Sequence, residues 1–190
     1  MDKKEKIEQI SNSHDSTKIA SWLDPLAPDE RIHGGNIKRY LVQCGLATAV
    51  VLVLLLVMDT VTQTVLIAAL GASTFIAFAV PRSLQSSPRH LIGGYLVGTL
   101  VGSLISVLQT MVDWASVMDP HAGLIIFGAL SIGLAMFLMV ITSTEHPPAA
   151  ALALGIVINE WDLLTLIVVM AGAVVLSIVK QLILPLLMDL

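Results

Sequence analysis

Thr142-Ser143-Thr144-Glu145-His146-Pro147-Pro148-Ala149-Ala150-Ala151-Leu152-Ala153-Leu154 is the stretch on which the reading of this chain turns. Two consecutive prolines cannot stand inside a helix. They are tolerated in its first turn, where the missing N–H groups have no intrahelical partner. A helix therefore starts near Pro147, with His146 or Thr144 near its cap, and the residues before it are pushed to extended backbone. The uncharged run that follows, 146–159, has only 14 residues. At 1.5 Å per residue it falls well short of the ~30 Å hydrocarbon core of a bilayer.

The runs on either side explain why a bilayer is the relevant yardstick. Only 13% of the 190 residues are charged, 56% are hydrophobic, and the mean hydropathy is +0.87. Soluble domains carry about 25% charged residues. Seven of the ten Lys and Arg residues lie in the first 39 positions, and from Tyr40 onward only Arg82, Arg89 and Lys180 remain. This distribution excludes a nucleic-acid binder, a disordered regulator and an ordinary cytosolic enzyme. The uncharged gaps are 40–58, 60–81, 91–112, 120–144, 146–159 and 163–179. They predict an all-α integral membrane protein of six transmembrane helices, the fifth of them short. The sixth reaches full length when Lys180 snorkels to the headgroups. Residues 1–39 form a cytoplasmic arm and 40–188 a single transmembrane domain. The arm is too polar to contain a signal peptide.

Six crossings place every Lys and Arg on one side. The other side carries Asp59, Asp113, Asp119, Glu160 and Asp162. The positive-inside rule then sets both termini in the cytoplasm of a cell (inner) membrane. A re-entrant fifth segment would move Lys180 to the outer half, so charge favours a full crossing. Trp22, Trp114 and Trp161 read as interface anchors. Thr60 through Gly71 can be laid beside Thr144 through Gly155, which points to a 3+3 inverted repeat with the functional site between the two middle helices.

Extended backbone at membrane depth must be covered by protein or line a wet cavity. Thr142, Ser143, Thr144, His146, Pro147 and Pro148 are accordingly read as a substrate-binding wall, the helix N-terminus forming an anion cradle. Gly71, Ala72, Ser73 and Thr74 are the opposing wall, with two hydroxyls inside the membrane. The competing reading of His146 is a brace bonded to a backbone carbonyl. The competing reading of Ser73 and Thr74 is hydroxyls bonded back to their own helix. Glu145 is assigned as the ion partner of Arg82 or Arg89, with a proton-relay role as the alternative, and the two arginines also suit an electrostatic funnel for anions. Gly94, Gly98, Gly102 and Ser106 recur every four residues and form a close-packing stripe, for another helix or for a second copy of the chain. Cys44, the only cysteine, reads as packing. The five histidines have no metal-site spacing and no phosphate-binding loop is present, so neither metal nor cofactor is expected.

The run from Glu145 to Leu154, with Thr142 and Thr144 before it, resembles the HPP family of integral membrane proteins. Gly71-Ala72-Ser73, Phe78-Ala79-Val80-Pro81 and Pro88-Arg89 followed by Ile92-Gly93-Gly94 lie in the family's order, and the resemblance spans about residues 35–188. Relatives often have His or Asn after the Gly-Gly pair and Gln before Pro-Arg, where this chain has Tyr95 and Ser87. They often read Ala-Gly-Ala-Thr after the prolines, where it has Ala149-Ala150-Ala151-Leu152. Some plastid and cyanobacterial members are linked to nitrite transport. The resemblance thus implies a transporter or channel for a small monovalent anion such as nitrite. The alternative is a membrane scaffold or sensor without transport activity. An enzyme is not expected, because no nucleophile–base pair is evident in the sequence.

Overall fold

The computed structural model describes residues 37–57, 64–111 and 119–188. The expectations for residues 1–36, including Trp22, and for Asp59, Thr60, Asp113 and Trp114 lie outside the described residues. Six α-helices are present among those described: α1 (Ile37–Val57), α2 (Thr64–Ala79), α3 (Pro88–Met111), α4 (Pro120–Thr142), α5 (Pro147–Ile158) and α6 (Leu163–Ile183). Two single 3₁₀ turns, Leu84–Ser86 and Leu184–Leu186, complete the set. The chain divides into residues 1–40 and 41–190, and everything below concerns the second unit.

Three segments are long and apolar enough to cross a membrane: Pro88–Met111, Pro120–Thr142 and Leu163–Leu186. Shorter apolar stretches run over Leu41–Val53, Ile67–Ala79 and Pro147–Ile158. Large apolar side chains such as Phe137, Ile141 and Leu182 are more than half exposed. Exposed apolar surface on that scale belongs against lipid rather than water.

Local chemistry sets the helix ends. Prolines open α3, α4 and α5, where φ is already helical and no N–H is missed. The Asp119 carboxylate accepts the His121 and Ala122 N–H groups at 3.0 and 3.1 Å. Asp162 accepts the hydroxyl and N–H of Thr165 at 2.6 and 2.7 Å, which opens α6. These bonds hold the Asp162 carboxyl below the ordinary aspartate range. Its stabilising effect is therefore complete above the unfolded value, about 3.9, and is lost as pH falls through the lower folded one. Melting curves at descending pH should show a steeper acid loss for the wild type than for Asp162→Asn. Equal slopes would contradict the cap.

The middle of the bundle is α5, which packs on α2, α3 and α4. Eight of its twelve residues are buried, as expected of a helix that is apolar all round. The glycine stripe of α3 makes this contact. A Cβ on Gly98 would lie 2.2 Å from the Ala149 carbonyl oxygen, one on Gly102 2.8 Å from the Ala153 carbonyl oxygen, and one on Gly94 2.6 Å from the His146 Cβ. Ser106 closes the stripe by accepting the Trp161 indole N–H at 2.9 Å. The stripe thus packs on another helix of the same chain, one of the two partners its spacing allows.

Two expectations are corrected. Lys180 is 3% exposed and enclosed by the fold rather than snorkelling outward. Cys44 is exposed on α1. Gly71 has open space where a Cβ would be, and Gly155 is buried.

One polar side chain ties α1 to the rest. Gln43 is 2% exposed; its amide donates to the carbonyls of Phe78 and Met188 (2.8 Å for the latter) and accepts the Met188 N–H at 3.3 Å. Gln43→Leu leaves those groups unsatisfied and should cost about 2 kcal/mol. Hydrogen exchange of α1 amides should accelerate in the variant, and unchanged protection would refute the tie.

Candidate functional site

Met139 to Pro148 turns the chain from α4 into α5. Ser143 takes a left-handed conformation (φ 51°, ψ 55°) that ends α4, and its N–H bonds the Val140 carbonyl at 3.2 Å. The Thr144 N–H reaches the Met139 carbonyl at 2.9 Å. His146 is extended (φ −141°, ψ 97°), as the following proline requires, and caps α5. Of the three N–H groups in the first turn of α5, prolines remove two. The third, on Ala149, bonds the His146 carbonyl at 2.9 Å. The Thr142 hydroxyl bonds the Leu138 carbonyl and the Thr144 hydroxyl, each at 2.8 Å. Two of the donors expected of an anion cradle at this helix end are thus removed by the prolines, and the Ala149 N–H is bonded within the turn.

The polar chemistry gathers on His146 instead. Its ring is 1% exposed. Nδ1 lies 3.0 Å from the Gln85 carbonyl oxygen, and Nε2 lies 2.8 Å from Ser73 Oγ. Ser73, wholly buried on α2, is also 2.8 Å from the Tyr95 hydroxyl on α3 and 3.0 Å from the Ala69 carbonyl. A carbonyl only accepts, so Nδ1 carries a proton. α2, α3 and the start of α5 thus meet at the Ser73 hydroxyl, and the loop carbonyl of Gln85 joins them through the other nitrogen of the imidazole. The loop is held for this purpose: Ser86 Oγ bonds the Pro81 and Ser83 carbonyls at 2.6 and 3.0 Å, which fixes the turn presenting Gln85.

The other proposed site residues are distributed around this node. Thr74 is buried but bonds back to Leu70 at 2.9 Å. Ala72 is exposed and takes no part. Pro148 is buried and Pro147 exposed at the mouth of a cleft. Arg82 and Arg89 are both exposed, and Arg89 donates to the Thr142 carbonyl at 2.9 Å, strapping α3 to the end of α4. The Glu145 carboxylate lies 3.4 Å from His90 Nε2. His90 Nδ1 in turn lies 2.8 Å from Ser87 Oγ. Tyr95, the Gln85 carbonyl and His90 were not among the residues singled out for the site. Tyr95 did have a signal, as the one phenol inside an uncharged α3 segment.

Two cavities flank α5. A cleft of about 390 Å³ beside His146 and Glu145 is walled by Ile132, Met136, Met139, Ala151 and Leu154, and so is apolar. The α4 residues that line this cleft, Ile132, Met136, Met139 and Val140, carry hydrocarbon and thioether side chains. The polar cavity, about 670 Å³, lies at the opposite end of α5, against Gln109, Thr110, Asn159, Glu160 and Trp161.

The profile of the HPP transmembrane region matches residues 32–187. The chain belongs to the HPP transmembrane family. Two transmembrane proteins of Dictyostelium discoideum are similar to it. One is 37% identical over 90 residues, 47% of this chain and 29% of that protein; the other is 33% identical over 89 residues, 47% and 26% respectively. The chain thus covers less than a third of the length of either relative. No solved structure matches it. In this HPP-family chain the tripeptide is an architectural joint. The histidine reaches back to α2 and to the loop before α3, and the prolines begin α5 at the depth where that contact is made.

Proposed function

We propose that this HPP-family protein is a six-crossing transporter of a small solute in the cell (inner) membrane, both termini cytoplasmic, with a small monovalent anion such as nitrite as the first substrate class. The reading divides the helices into halves α1–α3 and α4–α6 of opposite orientation, with α2 and α5 as their middle members. The observation that carries it is the Ser73–His146 hydrogen bond, which joins those two helices through groups fully buried in an apolar bundle. Polar groups are costly in such a setting, and in membrane bundles they mark transport pathways. The polar cavity at the far end of α5 gives a solute a mouth on the outer side. On the inner side, Arg82 and Arg89 are exposed near the loop that carries Gln85.

Purified protein in liposomes should take up nitrite above protein-free vesicles, with nitrate and chloride as comparators. His146→Ala should lower the rate by about tenfold, the equivalent of one buried hydrogen bond. Absence of flux for every anion tested, from protein that remains helical, would overturn the reading. The scaffold or sensor alternative is favoured by the spent N–H groups at the start of α5. Deleting residues 1–30 separates the two: a transporter keeps its flux, whereas recruitment through the arm is lost.

A further inference from the structure

The Ser73 hydroxyl has one proton and two acceptors in reach, the Ala69 carbonyl at 3.0 Å and His146 Nε2 at 2.8 Å, while Tyr95 lies at 2.8 Å on a third side. With Nδ1 committed to the Gln85 carbonyl, a neutral His146 offers only a lone pair at Nε2, so Ser73 donates to it and Tyr95 donates to Ser73. Add one proton from the aqueous phase to Nε2 and the same contact reverses. The imidazolium now donates to Ser73 Oγ, and the serine proton turns to the Ala69 carbonyl. The Tyr95 bond is unchanged. Atoms and charge balance: one proton enters, the imidazole gains one positive charge, and no bond is lost in either state.

We infer that the Ser73–Tyr95–His146 junction is a reversible proton-binding site, built so that α2, α3 and α5 stay joined in both protonation states, and that the proton is the ion coupled to solute movement. A group serving only as a brace needs a complete set of bonds in one state. Here the positions of Ala69 and His146 about one hydroxyl provide for two, which deepens the transport reading and rests on it. Among the elements around this site, α6 packs on α2 and α3 and carries one titratable side chain, the buried Lys180. On α2 no side chain titrates. On α4 only His121 does, in its first turn at the far end. The loop and α3 contribute Arg82, Arg89, His90 and Tyr95, and the connection into α5 contributes Glu145. Arg89 bonds the Thr142 carbonyl, and His90 faces the Glu145 carboxylate. On α5 no residue after His146 titrates.

The test uses full-length protein in nanodiscs with ¹⁵N-imidazole histidine, followed by NMR over pH, alongside nitrite uptake into liposomes at clamped voltage with and without a pH gradient. His146 should pass reversibly from the Nδ1–H form to the doubly protonated form while the protein stays folded. Ser73→Ala should weaken proton binding about tenfold, because a charge-assisted bond is lost in one state and a neutral one in the other. Tyr95→Phe, which keeps the Ser73–His146 pair, should stay within about threefold of wild type. A pH gradient should accelerate wild-type uptake and leave the residual Ser73→Ala uptake unchanged. A His146 that never changes protonation state in the folded protein, a Ser73→Ala variant titrating as wild type, or uptake indifferent to the gradient would each overturn the inference. Titration as expected with no uptake of any anion would support the proton site and sink the transport reading instead.

Discussion

Gly98→Ala should destabilise the protein by about 3 kcal/mol, at the upper end of what an added core methyl costs. The new Cβ would sit 2.2 Å from the Ala149 carbonyl oxygen and 3.1 Å from its carbonyl carbon. Both are backbone atoms of a buried helix, so no side-chain rotation can relieve the overlap. The helices α3 and α5 must move apart, and that motion opens the contact on which the middle of the bundle depends. Gly133→Ala on α4 is the control, because its Cβ meets nothing within 4 Å. It should be neutral or gain up to about 1 kcal/mol from the better helix propensity of alanine. Unfolding followed by circular dichroism in mild detergent distinguishes them, and equal midpoints for the two variants would contradict the packing described.

His146→Ala should cost a similar amount, about 3 kcal/mol, for a different reason. Removing the ring leaves the Gln85 carbonyl without its donor and a void where a fully buried imidazole stood. Ser73 can turn to Ala69 and Tyr95 can keep its bond, so the loss is concentrated on the loop and on α5. Asparagine at position 146 restores a donor but not the volume, and should recover part of the stability. If alanine and asparagine variants both melt like the wild type, the histidine is not the joint proposed for it.

The break at Pro147 and the short fifth helix were readable from sequence because proline imposes both through covalent geometry, independent of any neighbour. The glycine stripe was equally readable as a packing surface, since a four-residue repeat on a helix falls on one face. Its partner was not, because nothing in Gly94, Gly98 and Gly102 says which helix lies opposite. The site was legible in half. Ser73 and His146 were picked out as polar groups in apolar surroundings, but the bond between them depends on how α2 and α5 are rotated about their axes. The Gln85 carbonyl is a backbone atom and leaves no mark in the sequence. Tyr95 stands out in the sequence as the one phenol of the uncharged α3 segment and as a departure from the family's usual residue, and it supplies the third member of the junction. Proline, which permits the helix start, also deletes two of the N–H groups that an anion at this helix end would use. The contact between Glu145 and His90 could not be read from charge alone, because it depends on how α3 turns His90 towards the break.

The central claim is that the Ser73–His146 junction serves passage of solute and not cohesion alone. It is tested most directly by nitrite flux through Ser73→Ala liposomes, expressed per folded molecule, with folding verified on the same vesicles. The account predicts helical protein whose flux is about a tenth of wild type or less. Folded Ser73→Ala protein carrying nitrite at the wild-type rate would contradict it.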